Sequence, residues 1–483
     1  MRDGHKTGRY RAFRALLGVG VAAAVAASPG APAWAQLRTL SDALALTYAT
    51  NPTLLAGRAQ LRATDENVPQ ALAGWRPTVT VAANAGYIDA TTQQYIRPTA
   101  LTPGRTIESS ALRGANTQSL TVNQPLFRGG ATRASTNRAE NQVMAQRATL
   151  IGTEQAAFTN AVDAYVLVIQ TTQVLALRIN NQQVLTRQLQ ATRERFRVGE
   201  ITRTDVAQAE AALAGAVADR QTAEGEIQIA RSRFLQVIGE PAPDPLVEPQ
   251  PLKLPVRSFD DARALAADNN PSVVAALFSD SAAKDNFDIQ YARLMPNLSL
   301  QSSLARNEDV QQKDITTKVG QILMVLSVPL YQGGGEYAAI RQARQQQQQS
   351  REQLNDARRQ AIQQVTQAWN NYVSSRATIE STRQQIRSNE IALEGVQREA
   401  IVGSRTTLDV LNEEQRLLNS RVTLVRNLGT LINASYAVAA ATGRLTARDL
   451  NLNVPLYDET AYYRAVRNRL IGTGDYATDQ PGR

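Results

Sequence analysis

The feature that most constrains this chain is an internal duplication. Residues 125–239 recur at residues 329–443 without a gap, an offset of 329 − 125 = 204. Pro125-Leu126-Phe127-x-Gly129-Gly130 falls on Pro329-Leu330-Tyr331-x-Gly333-Gly334. Arg147 falls on Arg351, Tyr165 on Trp369, Val198-Gly199 on Val402-Gly403, Thr202 on Thr406, Asp205-Val206 on Asp409-Val410, Glu210 on Glu414 and Gly239 on Gly443. Upstream, Asp42-Ala43, Asn51-Pro52 and Pro77 fall on Asp261-Ala262, Asn270-Pro271 and Pro296, an offset of 296 − 77 = 219. The first copy therefore holds 219 − 204 = 15 extra residues between Pro77 and Pro125. Insertions favour surface loops, and the Thr-, Gln- and Pro-rich stretch Asp89 to Thr117 is expected to be one. A unit of this length exceeds a solenoid repeat of roughly 20–50 residues, so the two copies predict one pseudo-symmetric architecture.

Punctuation divides the chain further. Residues 241–255 carry Pro241, Pro243, Pro245, Pro249, Pro251 and Pro255, an extended linker. It separates a first repeat, 36–240, from a second, 256–455, and a patternless tail, 456–483, is expected to be mobile. The start reads as a signal peptide over 1–35. Arg2, Lys6, Arg9, Arg11 and Arg14 precede the apolar run Ala15 to Ala27, and Ala33-Trp34-Ala35 offers a cleavage site. Nothing later is expected to form a transmembrane helix. Any membrane crossing then falls to β-strands in a closed barrel.

Each copy opens with an amphipathic helical stretch, Leu40 to Ala73 and Phe259 to Leu294, ended by Pro77 and Pro296. The period then changes to two. Val79, Val81, Ala83, Ala85 and Tyr87 alternate with more polar neighbours, as do Leu298, Leu300, Ser302 and Leu304. Return strands are expected over Ser119 to Phe127 and Gln321 to Tyr331. Strands of 9–11 residues match a membrane barrel. Two strands per copy make four per chain, whereas membrane barrels start at about eight. Several chains must share one barrel, and a trimer supplies about 4 × 3 = 12 strands.

After each Gly-Gly comes a very long helix. Ala131 to Phe196 contains no proline and only one glycine, Gly152. Its expected seam is Ile151, Gln155, Phe158, Val162, Tyr165, Ile169, Thr172, Ala176 and Ile179. In the second copy it is Leu354, Arg358, Ala361, Val365, Ala368, Tyr372, Ser375, Ile379, Thr382, Ile386, Asn389, Leu393, Val396 and Ala400. This is a coiled-coil period. Gly199 and Gly403 suit left-handed C-caps. Thr202-x-x-Asp205 and Thr406-x-x-Asp409 match a capping box that starts each returning helix.

Composition narrows the chemistry. The chain has no cysteine, and its one histidine, His5, lies in the signal peptide. Thiolate chemistry and the commonest zinc ligands are thereby excluded, and no enzyme activity, cofactor or metal site is expected. The net charge is +9; residues 1–35 hold five cations and one anion, which leaves +9 − 4 = +5. Aromatics are few and interleave with no basic cluster, so no nucleic-acid partner is expected.

At this point the chain resembles the TolC family of outer-membrane channels. The resemblance covers residues 40–450 and rests on the duplication, the Asn-Pro helices, the Pro-Leu-[Phe/Tyr]-x-Gly-Gly junctions and the Val-Gly turns. It implies a mixed α and β fold: a helical coiled-coil barrel continuing a shared 12-stranded transmembrane barrel in a homotrimer. It implies a passive outer-membrane duct that exports small molecules or proteins. Partners would be a periplasmic adaptor at the turns Val198-Gly199 and Val402-Gly403, and an inner-membrane ABC or proton-driven transporter. It further implies a periplasmic gate in which Thr204 and Asp205 meet Arg405, with Asp409 in an inner acidic ring. The sequence departs at Ala400, where a gate tyrosine is often found, and at Asn412, where the second ring aspartate would stand; Glu413 is a substitute for the latter. Capping alone is the competing role for Asp205 and Asp409. The competing function is a periplasmic coiled-coil adaptor or scaffold without a barrel, and the strand pairs argue against it.

Overall fold

The computed structural model describes residues 38–254 and 256–474; the expected signal peptide lies outside these residues. The first copy runs α1 (Leu40–Thr50), α2 (Pro52–Asp65), α3 (Asn67–Leu72), β1 (Thr78–Ile96), β2 (Arg105–Arg128), α4 (Ala131–Arg197) and α5 (Arg203–Ile238). The second runs α6 (Phe259–Asn269), α7 (Pro271–Ala292), β3 (Asn297–Glu308), β4 (Thr316–Ser327), α8 (Gly335–Ile401) and α9 (Thr407–Ala441), followed by a short α10 (Ala461–Val466).

The opening helices of both copies break at Asn-Pro. Asn51 and Asn270 are extended, and proline takes the first position of α2 and α7, where its missing N–H costs nothing. The Asn51 carbonyl oxygen accepts from the Thr53 amide at 3.0 Å, and that of Asn270 from Ser272 at 3.0 Å. The amide nitrogens turn the other way. Asn51 Nδ2 donates to the Val237 carbonyl and Asn270 Nδ2 to that of Ala441, each at 3.1 Å. Each asparagine thus ties the end of a returning helix, which has unpaired carbonyls, to the start of an opening helix. The duplication is preserved as a hydrogen bond. This junction explains the helix lengths. α4 and α8 have 67 residues each, about 100 Å at 1.5 Å per residue. α5 and α9 have only 36 and 35, and α2 and α7 complete the partnering of the long helices.

Most of the α8 seam is buried as its period predicts, at Leu354, Ala361, Val365, Ala368, Ser375, Ile379, Thr382, Leu393 and Ala400; Tyr372, Ile386, Asn389 and Val396 are half-buried, and Arg358 is exposed. The α4 seam departs after Tyr165. Burial continues through Thr171, Val174, Asn181, Leu185, Leu189 and Thr192, while Thr172, Ala176 and Ile179 lie on the exposed side. A straight helix of 3.6 residues per turn drifts off a 3.5-residue stripe. α4 also has two successive sets of partners, so its buried line shifts. The expectation that no segment could span a membrane as a helix needs one correction. α4 contains an 18-residue window of mean hydropathy 1.3. Its apolar residues Phe158, Val162, Tyr165, Val166 and Val168 fill the main core with Leu44, Leu54, Phe234 and Ile238. Its hydropathy is that of a core helix.

The four strands form one antiparallel sheet in the order β1-β2-β3-β4. Register places Val81 opposite Leu120 and Leu120 opposite Leu304, while Val79 meets Val122, and Ser302 meets Ile322. Partners in register share a face. One face therefore carries Val79, Val81, Leu120, Leu304, Ile322, Met324 and Leu326, with Ile322 73% and Val81 76% exposed. The opposite face carries Thr80, Thr121, Ser303 and Gln321 in one cross-strand row. An apolar face left open beside a polar one is the pattern of a membrane barrel wall.

The expected loop, Asp89 to Thr117, is instead strand on either side of a short tip at residues 97–104. β1 and β2 have 19 and 24 residues against 12 and 12 for β3 and β4. Pairing of β2 with β3 ends at Asn116 opposite Glu308, so Gly86–Ile96 and Arg105–Ala115 continue as a two-stranded ribbon. Thr- and Gln-rich composition suits a solvated ribbon as well as a loop, because threonine is β-branched.

The tail also departs from expectation, for residues 456–469 are docked; Leu470 and Ile471 beyond them are exposed, and residues 475–483 lie outside the described residues. The Tyr457 amide donates to Tyr48 Oη at 3.0 Å, Tyr462 Oη to Glu66 at 2.8 Å, and Arg467 pairs with Glu140 at 3.0 Å. Val466 is buried, and Arg76, beside the sheet, donates to the Arg469 carbonyl at 2.8 Å. The segment straps α2 to α4. It follows no helical or strand period, which is why its sequence shows no pattern.

Candidate functional site: the paired helical turns

The junctions between sheet and long helices fix the direction of everything beyond them. Gly129 and Gly130 have φ of 60° and 91°, and Gly333 and Gly334 have 71° and 83°. Two successive left-handed residues turn the chain from strand to helix, and glycine reaches that region without a steric penalty. A long helix later, the α4–α5 and α8–α9 turns lie at the far end of the bundle.

Each turn is built the same way. Gly199 and Gly403 have φ of 82° and 81°. The Glu200 amide donates to the Arg195 carbonyl and the Ser404 amide to that of Glu399, each at 3.0 Å, closing a Schellman motif. The next helix starts in a capping box. Thr202 N and Oγ1 donate to Asp205 Oδ2 at 2.9 and 2.7 Å, and the Asp205 amide donates to Thr202 Oγ1 at 3.3 Å. Thr406 and Asp409 repeat this at 3.0, 2.8 and 3.3 Å. Hydrogen bonds from the Thr202 side chain and backbone hold the Asp205 carboxyl below the usual range. Those from the Thr406 backbone and side chain do the same for Asp409. Both aspartates are therefore caps, each through Oδ2.

Sequence reading missed a second layer. Arg195 Nε and Nη2 both donate to Glu200 Oε1, at 2.9 and 2.6 Å. In the second turn Arg405 Nε donates to Glu399 Oε2 at 2.9 Å. Position 195 + 204 = 399, so the incoming helix carries the cation in one copy and the anion in the other. Offset alignment shows this reversal once both positions are compared, but neither residue matches any motif.

The remaining expected residues are placed as follows. Thr204, Arg405 and Asn412 are exposed, and Asp205 and Asp409 are half-buried. Arg405 is held within its own turn, and Thr204 and Asp205 belong to the other hairpin. Ala400 is buried in the α8–α9 seam with Leu393, Val410 and Leu417. Glu413, one helical turn beyond Asp409, pairs with Arg416 at 2.6 Å. Val198 and Val402 are 74% and 78% exposed, beside Ile401 at 79%. Among the described residues no group of three or more His, Cys, Asp or Glu could hold a metal.

Comparison with known proteins fits this architecture. The outer membrane efflux protein family model matches residues 43–240 and 263–444, one block in each copy. The outer membrane efflux protein BepC of Brucella suis is 33% identical over 469 residues, covering 96% of this chain and 98% of BepC. Outer membrane protein TolC of Escherichia coli is 25% identical, covering 70% of this chain and 71% of its own length. The crystal structure of the outer membrane protein VceC of Vibrio cholerae superposes with a TM-score of 0.70 at 21% identity, covering 84% of this chain and 96% of VceC. The chain belongs to the outer membrane efflux protein family, and it is an exit duct of the outer membrane with a helical tunnel in the periplasm.

Proposed function

We propose that three copies form one duct, and that each copy contributes its four strands to a single barrel. The observation that carries this is the open sheet. β1 and β4 are unpaired edges, and the face carrying Val81 and Ile322 is uncovered in the single chain. Edge-to-edge pairing around a three-fold axis satisfies both edges and turns the apolar face to lipid. The helices below continue the barrel as a tunnel. The exposed Val198, Val402 and Ile401 form a docking ring for a periplasmic adaptor, through which an inner-membrane pump delivers cargo.

The tunnel end is held shut by Arg405 against Thr204 or Asp205 of an adjoining hairpin. Asp205 spends only Oδ2 on its cap, which leaves Oδ1 as an acceptor. Capping and gating are thus compatible in one residue. Each contact is exposed and screened by salt, so the closed state stays reversible by a docked partner. The test is conductance in planar bilayers. Arg405→Ser with Asp205→Ala raises single-channel conductance and reduces its salt dependence; unchanged values of both refute the gate.

A further inference from the structure

The two turns carry mirror-image ion pairs, and the pairs differ in how much of the arginine they use. Arg195 commits both Nε and Nη2 to one oxygen of Glu200, so this pair closes on itself. Arg405 gives Glu399 only Nε, at 2.9 Å. A guanidinium has five N–H donors in a planar fork. Holding it by Nε alone restrains the plane and leaves the N–H groups of Nη1 and Nη2 outside the bond to Glu399. Glu399 reaches Arg405 from the last turn of α8, across the Gly403 bend. The anchor therefore sits on a rigid element while the arginine sits on the turn.

We infer that Glu399 is the positioning residue of the periplasmic gate, holding Arg405 by Nε so that its terminal nitrogens are presented to an acid of the adjoining first-copy turn. This rests on the gate reading given above. A long side chain restrained before contact loses less freedom on making it. The acids available on a first-copy turn are Glu200 and Asp205. Glu200 is already ion-paired with Arg195, whereas the hydrogen bonds to the Asp205 carboxylate come from the neutral Thr202 and fall on Oδ2, so Asp205, through Oδ1, is the acceptor. The duplication accounts for the design. In the second copy Glu399 stands for Arg195, Ser404 for Glu200 and Arg405 for Ile201, and these three changes together turn a closed staple into an open, presenting one.

Planar-bilayer conductance of the full-length assembly separates the outcomes. Glu399→Ala raises the open-to-closed ratio in the same direction as Arg405→Ser, by about two-fold, the scale of one exposed ion pair. Glu399→Gln, which keeps an acceptor without the charge, recovers part of the loss. In an Arg405→Ser background Glu399→Ala changes nothing further. If Arg405→Ser opens the duct while Glu399→Ala leaves it unchanged or closes it more tightly, the gate stands and the positioning role is overturned. Additive effects of the two substitutions overturn it as well. If Arg405→Ser itself has no effect, the gate reading fails and Glu399 has nothing to position.

Discussion

Asp65 sits where α2 meets the C-terminal strap, fully buried, with neither carboxylate oxygen hydrogen-bonded. Burial pushes its pKa up to about 7, against the pull of Arg147 on α4 and Arg62 on α2, while Glu66 and Glu459 of the strap push the same way as burial. The folded state therefore keeps a proton that the unfolded chain loses near its ordinary value of 3.8. Stability from this group is complete below that pH, falls as pH rises to about 7, and is constant above it. Asp65→Asn mimics the protonated acid. The thermal midpoint of the detergent-solubilised protein then rises above that of the parent between pH 4 and pH 8, with no difference at the acid end. Parallel curves would show that the carboxylate finds a partner on ionisation. Tyr457 of the same strap and Tyr48 of α1 both pack on Arg58, whose guanidinium lies 5.3 Å and 4.5 Å from their ring centroids.

Among the elements, the strand-to-helix junctions and the first hairpin make opposite demands on sequence. Gly129 has φ of 60°, and a Cβ there would meet Met295 Cβ at 2.4 Å and the Ala292 carbonyl at 2.7 Å. Gly130 has φ of 91° with open space around it. Gly130→Ala costs about 1–3 kcal/mol, the strain of its backbone conformation, whereas Gly129→Ala adds a clash with α7 and abolishes assembly. Yield of the heat-resistant oligomer on gels compares them; equal yields contradict this account. The ribbon beyond the shared sheet is dispensable by contrast. Replacing residues 92–109 with a two-residue Asn-Gly turn keeps the strand register, and conductance stays at the parent value. Loss of insertion into membranes would show that the ribbon belongs to the barrel. These elements also show what the sequence revealed. Periodicity and Gly or Pro punctuation gave the strands, the long helices, the Gly-Gly junctions and both capping boxes, because each is a local rule. The α4 seam after Tyr165, the strap and the Glu399–Arg405 pair were hidden, because each depends on which element lies opposite. Composition does not separate the ribbon from a loop, because threonine and glutamine serve strand and loop alike.

For the whole molecule, the account stands on the sheet. Each copy supplies two strands and a helical hairpin, and the two copies in one chain still leave both sheet edges open. The natural sequence contains no cysteine, so introduced cysteines report only the contacts chosen for them. One cysteine placed at Val81 on β1 and a second scanned over Ile322, Met324 and Leu326 on β4 tests whether the first strand of one chain meets the last strand of another. Disulfides need Cα atoms within about 7 Å, and β1 and β4 of one chain are separated by two intervening strands spaced about 4.8 Å apart. Oxidation in membranes, followed by denaturing electrophoresis, is the most direct measurement. The account predicts a ladder of cross-linked species that ends at three chains for at least one pair. Monomer alone at every pair, or a ladder that ends elsewhere than three, contradicts it.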